Sequence, residues 1–323
     1  MIQLGITWNP SPEIVNIFGV SVRYYGLMFV VAFILGAHLL KKIYKNDKVN
    51  VDYIEPLFMY VVIATIIGAR LGEVFFYSWD YYQNHLLEIL LPISKNPKES
   101  MLFGIIEGYE FIGFRGLASH GAAIGIILAM YFYIRKYKYK SLMWILDRIV
   151  IPVASGAIFV RIGNLMNSEI VGKITNSNFG FQFIRDKYSA YEAMYITKAK
   201  TAEKAYDLIE NSPRFKQYLA DVPFRYPTQL FESGSYLIVF LVLWFVYWKT
   251  DKKNKKGYIF GLFMVLLWSV RFGIEFFKEA QIENREDWVG VLNTGQLLSI
   301  PMVLVGFYFM FRKVKTSQNE YKI

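Results

Sequence analysis

Seven long apolar segments run through this sequence, with short blocks of lysine and arginine between them. A transmembrane helix needs about 20 mostly apolar residues, because the hydrocarbon core of a bilayer is about 30 Å thick. Since 54% of the 323 residues are hydrophobic and 18% are aromatic, a soluble domain of this length would struggle to bury them. The sequence therefore predicts an all-α integral membrane protein with about seven transmembrane helices. Their cores are predicted at 21–40, 56–77, 117–134, 143–160, 234–248, 257–277 and 295–311.

The basic residues predict the orientation of the chain, because lysine and arginine near the ends of spans are retained in the cytoplasm. Basic blocks follow spans one, three, five and seven, which are alternate loops, so we expect an outside N-terminus and a cytoplasmic C-terminus. The formal net charge of +10 is concentrated in such blocks and not along one soluble face, so nucleic acid is not an expected partner. The blocks are Lys41, Lys42, Lys45 and Lys48; Arg135, Lys136, Lys138 and Lys140; Lys249, Lys252, Lys253, Lys255 and Lys256; and Arg312, Lys313 and Lys315.

A polar segment at 161–232 separates spans four and five. The alternation of loops places it outside, and its aromatic residues and helix-like stretch at 190–219 distinguish it from a flexible linker. We therefore predict three parts. Residues 1–160 form a membrane domain with spans one to four, 161–232 form a small extracytoplasmic subdomain with site residues at both ends, and 233–323 form a membrane domain with spans five to seven.

The sequence contains no cysteine. Structural disulfides, thiolate metal sites and a cysteine nucleophile are therefore excluded from the chain's own chemistry. Any thiol that reacts here must belong to the substrate.

Ionisable and amide residues inside or at the outer ends of the spans form the candidate site. Such groups are costly in a bilayer, so each of them is a functional hypothesis by default. On the predicted topology most of them lie toward the outer half of the membrane, where one site can hold them together. The set consists of Arg70, His120, Glu169 and three pairs that would share a helix face, namely Arg161 with Asn164, Gln229 with Glu232, and Arg271 with Glu275.

Structural roles compete with the functional interpretation. Arg161 at the end of a span could simply extend to the headgroups, as long cationic side chains do. Arg271 and Glu275 could do no more than neutralise each other, and a lone histidine such as His120 is more often structural than catalytic. Arg70 lies in a small-residue pattern that explains close helix packing but leaves the arginine unexplained.

Arginines in this setting suit a phosphate group, because guanidinium presents planar, paired and permanently charged donors. In a membrane the abundant phosphate is that of a lipid. Arg161 and Arg271 would hold the headgroup and stabilise the charge that gathers on phosphate as a C–O bond breaks. His120 or Glu169 could take a proton from the incoming nucleophile, and the sequence does not choose between them.

Two other functional classes fit less well. A transporter for an anionic lipid would also place arginines inside a bundle, but it predicts internal repeats or broken helices in matching halves, and the sequence has neither. An intramembrane protease needs a Ser/His or paired-Asp arrangement. Ser119 and His120 are adjacent, and adjacent residues diverge on a helix.

Six blocks of sequence carry a resemblance that covers nearly the whole chain. They are VRYYGLM at 22–28, GARLG at 68–72, SHG at 119–121, RIGNLMNSE at 161–169 continuing to Gly172, YPTQLFE at 226–232, and RFGIEF at 271–276. In this order they resemble the blocks of the prolipoprotein diacylglyceryl transferase family, and the Arg-Ile-Gly-Asn block is the most specific of them.

The resemblance implies a reaction. The diacylglyceryl group of phosphatidylglycerol is transferred to the lipobox cysteine thiol of a prolipoprotein, glycerol 1-phosphate is released, and lipoprotein maturation begins. It implies a multi-pass enzyme of the bacterial inner membrane with its active site toward the outer leaflet. The expected partners are phosphatidylglycerol, the prolipoprotein signal peptide with its lipobox cysteine, and membrane lipid. With thiolate as nucleophile and phosphate as leaving group, no metal, nucleotide or other cofactor is expected.

The resemblance also implies roles for individual residues. A free thiol has a pKa near 8.5, so a base or a local positive potential must supply the thiolate. The predicted catalytic residues are His120, Arg161, Glu169 and Arg271. The predicted phosphatidylglycerol-binding residues are Arg161, Tyr25, Asn164, Arg70, Gly172, Gln229, Glu232 and Glu275.

Three positions depart from the family pattern. Ala122 and Ser168 stand where glycine is usual, and Tyr226 stands where histidine is usual. Tyr226 removes one candidate base and leaves the two already named. The polar segment at 184–222 is longer than usual, and the resemblance assigns it no function.

Overall fold

The computed structural model describes residues 5–17, 20–91, 93–101, 106–111, 118–176, 180–279 and 292–313. The chain divides into two units. Unit one consists of the described residues of Met1–Ile43 and Met143–Thr316, and unit two consists of those of Tyr44–Leu142.

The helices and strands follow in chain order. The elements are β1 (Ile6–Trp8), β2 (Glu13–Ile17), β3 (Val20–Arg23), α1 (Tyr24–Asn46), α2 (Ile54–Phe76), α3 (Trp79–Tyr82), α4 (Leu87–Leu90), β4 (Ile93–Met101), β5 (Ile106–Phe111), α5 (Ser119–Tyr137), α6 (Leu142–Met166), β6 (Phe181–Phe183), α7 (Ile184–Lys187), α8 (Ala190–Thr197), α9 (Ala202–Asn211), α10 (Lys216–Ala220), β7 (Phe224–Arg225), α11 (Thr228–Lys249), α12 (Tyr258–Ile274) and α13 (Thr294–Phe311). Single 3₁₀ turns lie at Val51–Tyr53, Pro213–Phe215 and Asp251–Asn254.

Each of the seven predicted membrane segments coincides with a helix, in the order α1, α2, α5, α6, α11, α12 and α13. Among the described residues, five helical segments are long and apolar enough to cross a membrane, and they contain α1, α2, α6, α11 and α13. The apolar helix α12 is shorter, with 17 residues. Large apolar side chains such as Ile34, Ile238 and Leu304 are exposed on three of these helices, as expected where lipid is the solvent. The chain is therefore a mostly helical, multi-pass membrane protein.

The prediction of an all-α chain requires a correction, because the described residues also form short strands. In unit one, β6 pairs in parallel with β1 and antiparallel with β7, and β2 pairs with β3. In unit two, β4 pairs antiparallel with β5. The strands of unit one have two to five residues, too few for an alternating pattern to stand out, and the β1–β6 pair joins distant parts of the chain.

The polar segment folds as a small helical layer of unit one, from α7 to α10. Its own apolar core consists of the buried residues Ile184, Ala193, Ala205, Tyr206, Ile209 and Val222. A capping box in which Ser189 and Glu192 satisfy each other's backbone begins α8. The predicted domain boundaries at 160/161 and 232/233 lie inside α6 and α11, so both helices run past them without a break.

In unit two, α2 and α5 touch through their glycines. A Cβ atom placed on Gly72 would lie 2.6 Å from the Cα of Gly121, and one on Gly68 would lie 2.5 Å from the Gly121 carbonyl oxygen. The small-residue pattern around Arg70 therefore serves close backbone approach, as its spacing predicts.

A buried carboxylate in unit one fixes the start of α12, the helix that carries Arg271. Asp147 of α6 is fully buried and accepts hydrogen bonds from the backbone N–H groups of Gly257 at 2.6 Å and Phe260 at 2.8 Å. These N–H groups have no partner within the helix, and an anion at a helix N-terminus is favoured by the helix dipole. Asp147 thus couples the position of α12 to that of α6.

Candidate active site

The last turns of α6 present Arg161 to a polar cluster within unit one. Its Nη1 donates to Asn164 Oδ1 at 3.3 Å, and its Nε lies 2.8 Å from Glu232 Oε2 of α11. It also hydrogen-bonds the hydroxyl of Tyr236, one turn further along α11. Glu232 is only 1% exposed, so this ion pair is largely removed from solvent. Contacts from two helices therefore hold the guanidinium plane in one orientation.

Tyr25 reaches the same cluster from the start of α1. Its hydroxyl hydrogen-bonds the side chain of Asn164. The approach depends on Gly163, since a Cβ atom at that position would lie 2.8 Å from Tyr25 Cδ2. Asn164, which is 3% exposed, is thus held between Tyr25 and Arg161.

The loop after α6 is held by the first turn of α11. Gln229 is fully buried and its Nε2 donates to the carbonyl oxygen of Glu169 at 2.7 Å, while the Thr228 hydroxyl donates to that of Ile170 at 2.9 Å. The Glu169 residue is exposed, and Asn167 Nδ2 donates to its carboxylate at 3.2 Å. The loop therefore presents a carboxylate on a backbone that α11 immobilises.

The backbone of this loop explains why the family usually has glycine at position 168. Ser168 has a φ angle of 55°, in the left-handed region that favours glycine. A glycine is the unstrained residue at such a position. Serine is accommodated here at a cost of about 1–2 kcal/mol.

Gly172 lies where three segments of unit one meet. Its N–H donates to the Tyr226 carbonyl oxygen at 3.0 Å, and it forms an antiparallel bridge with Lys278. A Cβ atom here would lie 2.5 Å from the Tyr226 oxygen and 2.8 Å from that of Phe277. The close approach of these backbones requires glycine at position 172. The ring of Tyr226 packs against Phe277 at a centroid distance of 5.4 Å.

Arg271 and Glu275 close the cluster from α12. Arg271 Nη2 lies 3.8 Å from Glu275 Oε1, and Asn293 Nδ2 donates to Glu275 Oε2 at 3.3 Å. The Nε atom of Arg271 is buried and has no hydrogen-bond partner among the described residues. Unpaired buried donors are uncommon, and an anionic ligand would satisfy this one.

The two ion pairs and Lys278 form one electrostatic cluster. The charges of Arg161, Glu232, Arg271 and Glu275 all act on Lys278, which follows α12. Unit one therefore brings together most of the residues predicted for the site. They are Tyr25, Arg161, Asn164, Glu169, Gly172, Gln229, Glu232, Arg271 and Glu275.

The remaining two predicted residues belong to unit two. Arg70 is 4% exposed; its Nε donates to the Ile89 carbonyl oxygen at 2.9 Å and its Nη2 to that of Glu88 at 2.5 Å. Its guanidinium carbon lies 4.8 Å from the centre of the Tyr82 ring. This geometry gives the arginine a structural role at the end of α4, and its predicted contact with lipid stays a prediction. His120 lies in the first turn of α5, and its side chain is outside the described part of the structure.

Four residues of the cluster were not predicted from the sequence: Tyr236, Lys278, Asn293 and Gln296. Asn293 and Gln296 form a capping box at the start of α13, and the Asn-x-x-Gln spacing before an apolar run is a signal that could have identified it. Tyr236 follows Glu232 by one helical turn. Lys278 had no such signal, because its role depends on a pairing with Gly172.

Burial disfavours the charged form of Lys278. Desolvation lowers the pKa of its ammonium group below the ordinary lysine value, the carboxylates of Glu232 and Glu275 oppose this change, and Arg161 and Arg271 add to it. Chemically, the cluster offers two oriented guanidinium groups, a lysine and a buried unpaired donor. These groups suit an anionic ligand with several oxygen atoms, such as a phosphate diester.

Comparisons with known proteins agree with this chemistry. A family model described as Prolipoprotein diacylglyceryl transferase matches residues 12–312. Three relatives carry the name phosphatidylglycerol–prolipoprotein diacylglyceryl transferase. The one from Bacteroides fragilis is 37% identical over 95% of each chain. That from Chloroherpeton thalassium is 35% identical over 98% of this chain and 97% of its own, and that from Porphyromonas gingivalis is 37% identical over 96% and 95%.

Proposed function

This chain belongs to the prolipoprotein diacylglyceryl transferase family, as its sequence blocks predict, and is a transferase that moves a diacylglyceryl group from phosphatidylglycerol to prolipoproteins; we propose that Arg161 and Arg271 hold the lipid phosphate during that transfer. The observation that carries this proposal is the pair of arginines, each oriented by its own carboxylate, with the Nε of Arg271 buried and unpartnered among the described residues.

In the proposed reaction the acceptor is the thiol of a lipobox cysteine. A base removes the thiol proton, the sulfur forms a bond to the terminal glyceryl carbon, and the C–O bond to phosphate breaks with its electron pair on oxygen. The products are a thioether-linked lipoprotein and glycerol 1-phosphate. The phosphate gains one negative charge during this step, and oriented guanidinium groups stabilise charge at the place where it develops.

The other predicted residues orient these groups in the proposed site. Glu232 and Glu275 fix the two arginines, and Tyr25 and Asn164 complete the pocket wall beside Arg161. Gly172 and Gln229 hold the loop that carries Glu169.

Two residues are proposed as the base, Glu169 and His120. Glu169 is supported by its electrostatic contact with Tyr25 in the same cluster, and His120 by its position in the Ser-His-Gly block. The pH dependence of kcat/KM for Glu169→Gln and His120→Gln decides between them. The variant that loses the limb contributed by the base, while keeping its affinity for phosphatidylglycerol, identifies that base.

The function is tested with purified protein in detergent, phosphatidylglycerol and a lipobox peptide. We expect release of glycerol phosphate with cysteine at the acceptor position and none with serine, because only the thiol supplies a thiolate near neutral pH. Release that does not depend on cysteine, or no release from folded protein, would contradict the proposal. In the second case, a lipid-flux assay would test the transporter alternative.

We also propose seven spans in the inner membrane, an outside N-terminus, a cytoplasmic C-terminus, an extracytoplasmic subdomain at 161–232 and an active site toward the outer leaflet. The coincidence of helices with all seven apolar segments and the alternation of basic loops support this topology. Membrane domains at 1–160 and 233–323 flank the subdomain in this proposal.

Because the chain contains no cysteine, single introduced cysteines report on this topology without background. Tyr191 of α8 and Asn254 of the turn before α12 are both exposed. In cells with a permeable outer envelope, a membrane-impermeant maleimide is expected to label Tyr191→Cys. Asn254→Cys is expected to react only after the inner membrane is opened. Labelling in the reverse order would show that the orientation is inverted.

A further inference from the structure

Lys278 interacts electrostatically with both ion pairs of the cluster and has no part in the reaction as proposed so far. It follows Glu275 by three residues, just beyond the end of α12. An antiparallel bridge to Gly172 sets its backbone position, and the N–H of Lys173 donates to the Phe277 carbonyl oxygen at 2.8 Å beside it. Gly172 has no side chain to compete for the space on that face. Backbone pairing with a predicted site residue therefore places Lys278 at the site.

Charges from three of the helices around the cluster act on this lysine. They are Arg161 of α6, Glu232 of α11, Arg271 of α12 and Glu275 at its end. Two of these are positive and two negative.

The four groups are already arranged as two pairs. Arg161 lies 2.8 Å from Glu232, and Arg271 lies 3.8 Å from Glu275, so each pair has a net charge of zero. Among the described residues, no carboxylate oxygen lies within 4.0 Å of the Lys278 ammonium group. Within this group of five charges the excess positive charge is therefore that of Lys278, and the other carboxylate of the site, that of Glu169, is exposed to solvent.

We propose that Lys278 supplies the positive charge, beyond the two neutral ion pairs, with which the site binds the phosphodiester of an anionic phospholipid, an inference that rests on the proposed function. A phosphatidylglycerol headgroup carries one negative charge, which one unpaired ammonium group balances. The arginines then provide directional hydrogen bonds, while the lysine provides the charge balance. A zwitterionic phospholipid brings its own ammonium group and would leave Lys278 uncompensated, so the same residue favours anionic donors.

Supplying a positive charge is a different role from accepting the thiol proton, and one substitution of Lys278 distinguishes between them. An arginine at position 278 keeps the positive charge but cannot accept a proton at any pH used for assay. If Lys278 acts through its charge, Lys278→Arg keeps its activity. If Lys278 removes the thiol proton, Lys278→Arg is inactive.

The test uses the full-length enzyme in mixed micelles, with the mole fraction of phosphatidylglycerol varied at a fixed concentration of lipobox peptide. We expect Lys278→Met to raise the KM for phosphatidylglycerol by about tenfold or more, because it removes a charge-assisted interaction. Lys278→Arg is expected to stay within about threefold of the wild type. Lys173→Met is the matched control, since Lys173 is exposed and its backbone N–H donates to the Phe277 carbonyl oxygen, next to Lys278 in sequence.

The pH dependence of KM provides a second test. If Lys278 had a purely structural role, its protonation would not affect the KM for phosphatidylglycerol. Because the pKa of Lys278 is lowered by burial, its charge is lost on the alkaline side earlier than that of a free lysine. The wild-type KM for phosphatidylglycerol is therefore expected to rise as the pH increases through that pKa. In Lys278→Arg the rise is expected to be absent over the same range, because guanidinium stays charged.

Three results would overturn the proposal. A normal KM for Lys278→Met would show that the charge is not used, and an inactive Lys278→Arg with normal lipid affinity would assign proton transfer to the lysine. The same pH profile for wild type and Lys278→Arg would also overturn it, and this comparison holds even if Lys278→Met fails to fold. A wild-type enzyme that releases no glycerol phosphate would instead refute the proposed function on which the inference rests.

Discussion

Replacing Arg161 by lysine is expected to lower phosphatidylglycerol-dependent turnover by about 100-fold or more, although the positive charge is kept. Arg161 contacts Glu232 through Nε and Asn164 through Nη1, and it also hydrogen-bonds Tyr236. A lysine ammonium is a single point and cannot reach all of them while also meeting a phosphate. The buried carboxylate of Glu232 would lose the partner that compensates it, which adds a structural cost to the catalytic one.

The matched control is Arg185→Lys. Arg185 of α7 also pairs with a glutamate, since its Nη2 lies 2.7 Å from Glu203 Oε2; its side chain is 9% exposed and its guanidinium carbon lies 4.3 Å from the centre of the Tyr206 ring, but it lies outside the cluster. Lysine cannot reproduce this geometry either, so Arg185→Lys is expected to lower the stability of the layer from α7 to α10 while turnover of the folded enzyme stays normal. Glycerol phosphate release at saturating peptide measures both. Near-normal turnover of Arg161→Lys would contradict the assignment of Arg161 to the phosphate.

Replacing Gly172 by alanine is expected to lower both the thermal stability and the turnover of the enzyme. The added Cβ would lie within 2.8 Å of two backbone oxygen atoms, those of Tyr226 and Phe277, and neither can rotate away as a side chain would. Forced separation of packed groups costs about 1–3 kcal/mol. Because Gly172 also pairs with Lys278, the same displacement moves this lysine of the proposed site, and turnover is expected to fall by about tenfold or more.

Gly234→Ala provides the comparison for this change. Gly234 lies inside α11, and a Cβ atom there would meet nothing within 4 Å among the described residues. Alanine is favoured over glycine in a helix interior by about 1 kcal/mol, so this variant is expected to be as stable as the wild type or slightly more stable. Thermal unfolding in detergent, followed together with turnover, measures both variants. Equal melting temperatures for Gly172→Ala and the wild type would show that the backbones around position 172 can separate at little cost.

The long apolar helices of this protein could be predicted from local sequence. The segment predicted at 295–311 is α13, Thr294–Phe311, and the segment predicted at 257–277 contains α12, Tyr258–Ile274. Apolar runs of this length have few alternatives, because only a helix satisfies every backbone group within the run itself. Residues three or four apart on a helix are neighbours by geometry, so the sequence also predicted that Arg161 and Asn164 would meet.

Only the tertiary structure determined which polar residues contact one another. Gln229 and Glu232 share one helix, yet Gln229 holds the Glu169 backbone while Glu232 holds Arg161 of α6. Arg70 matches a family block, yet its guanidinium is bound by carbonyl groups at the end of α4.

The pairing of Gly172 with Lys278, like that of β1 with β6, joins parts of the chain that are far apart in sequence. Such contacts depend on how the long helices bring their ends together. Their residues lie in loops or short strands, where no periodic pattern records the partner. The sequence therefore predicted the long helices and the polar residues near their ends, while the folded chain determined the ion pairs and the bridge that places Lys278 beside Gly172.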